Sequence, residues 1–337
     1  MTRSPVTDID RLAASVTSGD RKALARAITL VESTRSTDRE AAEKLLTGLL
    51  PQTGRAARIG ISGAPGAGKS TFIEALGAHA TGTGKELAVL AVDPSSLRSG
   101  GSILGDKTRM ATLARNPLAF IRPTPSGAIS GGVARYTREA ILLSEAAGYD
   151  IILVETVGVG QSEIAVAEMV DLFVLLVAPG SGDDLQGIKR GAMELADLVL
   201  ITKADGDLLD AANRAFADYR AALQLMRPKY PDIPPEIAKT SSRTGAGIAE
   251  CWSLIEALVD QLKSGGHLAR LRAEQLRGWF WSEVRTTLVE ALTADPAMSA
   301  EAAALETAVL AGRSLPEAAA RTLIRAFRGL DAANPAP

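Results

Sequence analysis

The sequence predicts an α/β fold: a doubly wound, mostly parallel sheet with a helical N-terminal layer and a helical C-terminal extension. Three observations predict it. Seven short apolar runs, at 58–62, 88–93, 119–122, 150–156, 172–178, 198–203 and 237–241, are rich in Val, Ile and Leu and mostly do not alternate with polar residues. Strands buried on both faces of a parallel sheet read that way. Helical stretches separate the runs, which gives the strand–helix alternation of a doubly wound domain. Several runs end on a polar residue, namely Ser62, Asp93, Thr156 and Lys203. In such sheets ligands sit beyond the carboxyl ends of the strands, so chemistry belongs at those residues.

The flanks are helical. Between about Asp8 and Leu50, the residues Leu24, Ala27, Ile28 and Val31 form one apolar stripe at helical spacing. Ser18-Gly19-Asp20 and Ser36-Thr37-Asp38 read as breaks that supply N-caps. Near the other end Trp279, Phe280 and Trp281 cluster, followed by Val284, Leu288 and Leu292. That stripe reads either as core-facing or as a dimer surface. The expected organisation is a helical layer over 1–54, a strand–helix domain over 55–262 and a helical extension over 263–337.

Bulk properties narrow the function. A chain of 337 residues can build one large core with helical additions. The net charge is −2 and no run of Lys and Arg suggests a basic face, which argues against a nucleic-acid partner. Cys251 is the single cysteine, which excludes a disulfide framework and a cysteine metal cluster. The opening residues lack the apolar core of a signal peptide. No segment approaches the roughly 20 apolar residues of a membrane span. A soluble, cytoplasmic protein is the expectation.

The strongest motif is Gly63-Ala64-Pro65-Gly66-Ala67-Gly68-Lys69-Ser70, which fits G-x-x-x-x-G-K-S/T between a strand and a helix. Its glycines let successive backbone N–H groups wrap a phosphate. Lys69 brings a point charge to the β- and γ-phosphates. Ser70 offers a hydroxyl to Mg²⁺, the helix start aims its positive dipole at the anion, and Thr71 is counted with the nucleotide-binding loop. The fold is therefore expected to be that of a P-loop nucleoside triphosphatase.

Asp93 and Glu155 each end an apolar run, the arrangement in which an acid holds Mg²⁺ directly or through water. Either acid alone could be a turn former or a helix cap. Gly158, three residues after Glu155, can sense the γ-phosphate through its amide. The next residue is Val159, where many signalling GTPases place a water-orienting Gln, and Gln161 comes two places later. Slow intrinsic hydrolysis follows, with a partner or another loop completing the site.

Thr202-Lys203-Ala204-Asp205 approximates the guanine-reading pattern N-K-x-D. A carboxylate at Asp205 accepts from guanine N1–H and the 2-amino group together, and adenine offers neither donor. The Lys203 stem can stack along the base. Thr202 stands in place of Asn, which is expected to forfeit a carboxamide that would bond the base and brace the phosphate loop. Ser241-Ser242 could add a contact to the guanine carbonyl.

Longer strings carry a resemblance. Asp93-Pro94-Ser95-Ser96, the run from Gly100 through Asp106 to Met110, the run from Glu155 through Gly158 to Glu163, and the run from Gly182 through Lys189 to Gly191 are similar to the MeaB/MMAA group. These are GTPase chaperones of adenosylcobalamin-dependent acyl-CoA mutases, chiefly methylmalonyl-CoA mutase. The resemblance covers nearly the whole chain. It implies that Asp93 and Asp106 lie in a first switch and Glu155 in a second, around Mg²⁺. It implies that 181–189, with Lys189, couples nucleotide state to the mutase, that the chain is a homodimer joined through C-terminal helices, and that it protects the mutase and gates cofactor loading. Asp184 stands where many relatives carry Glu. On the residues alone, Asp183-Asp184 with Lys189 and Arg190 also reads as a solvated helix start. Two competing functions use the same fold: an ATP-dependent small-molecule kinase or transport-associated ATPase, and a GTPase that inserts nickel or cobalt. The second is disfavoured, since His79, His267 and Cys251 are widely spaced and make no metal-handling tract.

Overall fold

The structure, a computed structural model, describes residues 5–93, 110–125, 132–156, 162–180 and 190–329. The chain divides into two compact units, 1–273 and 274–337.

The first unit is built on seven strands, β1 (Ala57–Gly63), β2 (Leu87–Asp93), β3 (Ala119–Pro125), β4 (Ile151–Glu155), β5 (Leu172–Val177), β6 (Leu198–Ile201) and β7 (Glu236–Lys239). They form one sheet in the order β3-β2-β4-β1-β5-β6-β7, and every pairing is parallel. All seven expected strands are present, and the expected α/β class holds. The run 198–203 ends early as a strand. The Thr202 amide still donates to Val177 O at 2.8 Å, but Lys203 then takes a left-handed conformation at φ 53° and turns the chain out of the sheet.

Both faces of the sheet are covered, which explains the unbroken apolar runs. In β4, Ile152 and Val154 join one core and Ile151 and Leu153 the other, the period-two alternation of a strand buried twice. One core takes Val16 of α1 (Pro5–Thr17), Leu24, Ile28 and Val31 of α2 (Arg21–Val31), Leu45 and Leu49 of α3 (Ser36–Leu49), and Tyr219 of the helix Leu209–Leu225. The other takes Phe72, Ile73 and Leu76 of α4 (Lys69–Gly82) and Trp252, Ile255 and Leu258 of the helix Ile248–Ser264. Fully burying a side chain of this size contributes roughly 1.5–3 kcal/mol. The N-terminal layer is therefore part of the core of the first unit. Its stripe Leu24, Ala27, Ile28 and Val31 is buried as expected. Asp20 caps α2 by accepting from the amides of Lys22 at 2.8 Å and Ala23 at 3.3 Å. The second expected cap differs: Arg35 stands at the N-cap of α3 without a side-chain hydrogen bond. Asp38 instead accepts from the Ser33 hydroxyl at 2.7 Å.

The second unit comprises the remainder of the helix His267–Ala294 and the helices Pro296–Leu310 and Pro316–Phe327. Phe280 and Trp281 pack edge to face with ring centroids 5.4 Å apart. Both are more than half exposed, as are Leu288 and Val289. The core-facing reading of this stripe is thereby corrected: Trp279, Val284 and Leu292 are half-buried and none of the helix is fully buried. The aromatic pair covers itself on a surface rather than filling a core. Among the described residues, no helix is long and apolar enough to cross a membrane.

Candidate functional site

β1 lies between β4 and β5, and chain connections diverge to either side of it. That is the switch point of a doubly wound sheet, where a crevice opens beyond the strand ends. Residues 63–70 leave β1 there and enter α4. Gly63 has φ 154°, and a Cβ at that position would come 2.5 Å from Leu176 O of the adjacent strand. Gly68 is the N-cap of α4 at φ 90°. Both positions demand glycine, so the loop approaches β5 closely and turns directly into the helix.

The side chains of the crevice converge. Lys69 Nζ donates to Gly63 O at 2.8 Å and to Ala64 O at 3.3 Å, which sets the ammonium across the loop. Burial pulls the Lys69 ammonium below the usual lysine range, while the carboxylates of Glu155 and then Glu163 draw it the other way. Ser70 Oγ donates to Glu155 Oε1 at 3.0 Å, joining the start of α4 to the end of β4. Glu155 is buried. A hydroxyl beside a buried carboxylate is a hard-oxygen donor pair, the kind that Mg²⁺ prefers. Thr156, next to Glu155, donates from Oγ1 to Ser62 Oγ at 2.9 Å and ties β4 to β1.

The turn after β6 is bonded to the phosphate loop. Thr202 Oγ1 donates to Ala67 O at 2.8 Å, with Val177 O at 3.2 Å. Lys203 Nζ donates to Gly66 O at 2.7 Å. The expectation that Thr202 forfeits the brace of the phosphate loop is therefore corrected, because a hydroxyl at this place reaches the same backbone. Asp205 is engaged from the loop after β7. Ser241 Oγ donates to Asp205 Oδ2, and Arg243 Nη2 lies 2.6 Å from Asp205 Oδ1. Arg243 escaped the sequence reading, since no motif or periodicity marks it.

The structure thus places Gly63, Pro65, Gly66, Ala67, Gly68, Lys69, Ser70, Thr71, Glu155, Thr202, Lys203, Asp205 and Ser241 beyond the carboxyl ends of β1, β4, β6 and β7, on one edge of the sheet. Asp93 ends β2, two strands from β1, and its side chain lies outside the described residues. Asp106, Gly158 and Lys189 lie outside them altogether, as do Val159 and Gln161. Among the described residues, no group of three or more His, Cys, Asp or Glu could hold a metal ion.

Comparison with known proteins agrees with this fold. The family described as methylmalonyl Co-A mutase-associated GTPase MeaB matches residues 24–297. A Caulobacter vibrioides protein named as a GTPase is 53% identical over 323 residues, covering 96% of this chain and 99% of its own. The mouse methylmalonic aciduria type A homolog, mitochondrial, is 48% identical over 330 residues, covering 95% of this chain and 80% of its own. The Escherichia coli GTPase ArgK is 47% identical over 279 residues, covering 82% and 84%. The crystal structure of a LAO/AO transport system kinase superposes with a TM-score of 0.77 at 35% identity, over 97% of this chain and 99% of the other. With a P-loop site on a seven-stranded parallel sheet and a family match across most of its length, the chain belongs to the methylmalonyl-CoA mutase-associated GTPase family, MeaB.

Proposed function

We propose that this GTPase is a Mg²⁺-dependent chaperone of an adenosylcobalamin-dependent acyl-CoA mutase, methylmalonyl-CoA mutase or a close relative, which it protects, reactivates and gates for cofactor loading. The observation that carries the reading is the family match over residues 24–297, whose description joins GTPase activity to that mutase. The geometry supports the nucleotide half of it.

Residues 63–70 wrap the phosphates of GTP or GDP with backbone amides, and α4 adds its N-terminal dipole. Lys69 exchanges the carbonyls of Gly63 and Ala64 for phosphate oxygens, a trade that a charge disfavoured by burial readily makes. Ser70 and Glu155, with Asp93 and Asp106, hold Mg²⁺. The donor set fits it: a hydroxyl and a carboxylate 3.0 Å apart, both oxygen and both at the mouth of the loop. When bound, Mg²⁺ neutralises charge on the β- and γ-phosphate oxygens. Asp205 accepts from guanine N1–H and the 2-amino group, with Ser241 fixing the carboxylate and the Ser242 amide available to the guanine carbonyl. The amide of Gly158 reports the γ-phosphate. The exposed Phe280, Trp281 and Leu288 form a homodimer surface, where apolar side chains left open on one helix gain by meeting a second copy. The protein works in the cytoplasm, without nucleic acid or membrane.

Val159 gives no polar side chain to orient water, so hydrolysis is slow alone and faster on the mutase. Lys189 is the group that partner binding brings to the γ-phosphoryl oxygens. A cation placed there late in the reaction is worth orders of magnitude in rate. The test is steady-state GTP hydrolysis with and without an adenosylcobalamin-dependent mutase, for the wild type and Lys189→Ala. The wild type should be stimulated, and the variant should keep the basal rate but lose the stimulation. A wild-type rate that no acyl-CoA mutase changes, with no co-elution, would overturn the chaperone reading. Equal stimulation of the two proteins would remove Lys189 from it.

A further inference from the structure

The side chain at position 202 decides which edges of the base this site can read. Thr202 is buried, and both polar atoms next to its hydroxyl are carbonyl oxygens: Ala67 O at 2.8 Å and Val177 O at 3.2 Å. A hydroxyl carries one proton and two lone pairs. The proton goes to one of these carbonyls, and the shorter contact assigns it to Ala67. Thr202 therefore presents only lone pairs in any other direction. Guanine N7 is an acceptor. Two acceptors face to face make no hydrogen bond. A carboxamide differs in having two N–H groups, so it can brace the loop with one and reach N7 with the other.

Three backbone amides of the turn and its ammonium are committed as well. The Thr202 amide donates to Val177 O at 2.8 Å, the Ala204 amide to Thr240 O at 3.1 Å and the Asp205 amide to Lys203 O at 2.9 Å. The Lys203 ammonium donates to Gly66 O at 2.7 Å. From its side chains, what the turn offers a base is thus the acceptor side of Asp205, whose oxygens are steadied by Ser241 and Arg243. Thr202 and Lys203 are given over to holding the phosphate loop, through two adjacent carbonyls, Ala67 O and Gly66 O.

We propose that this site grips guanine by its N1–H and 2-amino edge and leaves N7 unread, so that a nucleotide with carbon in place of N7 binds as tightly as the natural one. Thr202 is then a positioning residue for the phosphate loop. The proposal rests on the reading of Asp205 as the guanine acceptor, and the experiment separates the two.

Calorimetry on the full chain with Mg²⁺ compares GDP with 7-deaza-GDP, which differ only at that atom. The wild type should bind both within twofold of each other. Thr202→Asn should restore discrimination of about 3- to 10-fold in favour of GDP, the worth of one neutral hydrogen bond. Thr202→Val should weaken both ligands by the same factor, because it removes the brace and not a base contact. A wild type that binds 7-deaza-GDP threefold or more weaker than GDP overturns the proposal, and so does an Asn variant whose ratio stays at one. If Thr202→Asn does not fold, the wild-type ratio alone decides. Asp205→Asn tests the underlying reading: it should shift preference from guanosine to xanthosine diphosphate. If it does not, the guanine reading of the turn fails. If it does and the wild type still rejects 7-deaza-GDP, the N7 inference alone fails.

Discussion

At the amino-terminal edge of the sheet, charges are locked to one another; at the carboxyl-terminal edge, the phosphate-loop lysine is held by contacts that can be exchanged. Asp171, fully buried just before β5, accepts from the Arg58 amide at 2.8 Å and from Arg272 Nε and Nη2 at 2.8 Å and 2.7 Å. Arg272 also donates to Gly54 O and Ala56 O, each at 2.6 Å. Glu145 accepts from Arg58 Nε at 3.0 Å, from Arg58 Nη2 at 2.9 Å and from the Gly54 amide at 2.9 Å. Each ion in this knot has a charged partner and further hydrogen bonds, the condition under which a buried ion pair is tolerable. At the other edge, Lys69 rests on backbone carbonyls and Ser70 on Glu155. A carbonyl compensates an ammonium only partly, so a phosphate can displace it. The comparison teaches that a charge without a full counter-charge, on a sheet otherwise able to supply one, marks the place where a ligand completes the set.

The sharpest way to break that comparison is to cut the closed knot. Asp171→Ala leaves Arg272 and Arg58 without their carboxylate in a buried setting, and should cost about 3–5 kcal/mol of unfolding free energy. Urea unfolding reads the loss, while GDP affinity of the folded protein should be unchanged. A cost under about 1 kcal/mol would place the knot among surface ion pairs and end its structural role.

The opposite signature belongs to Lys69→Ala. Burial already disfavours the Lys69 charge, so its removal should leave stability within about 0.5 kcal/mol. Guanine-nucleotide binding should weaken by about 2–4 kcal/mol, because phosphates then face no point charge in a dry loop. Calorimetry paired with thermal unfolding checks both halves. Unchanged affinity would take the loop out of the functional reading, and a large loss of stability would make Lys69 part of the framework.

The two edges were not equally legible in the sequence. The strands and the phosphate loop were, because burial on both faces writes an unbroken apolar run and because the loop needs its glycines at fixed spacing. The amino-edge knot was not. Arg272 lies 101 positions from Asp171, and Arg58 lies 87 from Glu145. No local pattern records a pair formed by tertiary folding alone. Thr202 failed for a different reason. Set against Asn it reads as a lost base contact and a lost brace, whereas counting its donor and the nearby acceptors shows that the brace is kept. The aromatic cluster at Trp279, Phe280 and Trp281 stayed ambiguous, since helical periodicity marks an apolar face without saying what covers it. Asp20 was readable as a cap because its partners lie only two and three residues ahead.

The smallest effect sharpens the carboxyl edge at a single turn. Among the described residues, Lys203 is the one non-glycine residue with positive φ, at 53°. An L-residue held there carries roughly 1–2 kcal/mol of steric strain. Lys203→Ala and Lys203→Gly lose the same ammonium and the same bond to Gly66 O; they differ in whether a Cβ must occupy the left-handed conformation. In a strand or helix interior, glycine would be the less stable of the two by roughly 0.5–1 kcal/mol. At this turn the order should invert, with the glycine variant more stable by about 1 kcal/mol. Denaturant unfolding of the two variants, compared at equal slope, measures the difference directly. Both should lose the same nucleotide affinity, because the strain belongs to the backbone and the contact to the ammonium. An alanine variant as stable as the glycine variant would mean that the turn relaxes once its lysine is gone. The left-handed conformation would then be imposed by the bond to the phosphate loop rather than by the path of the chain.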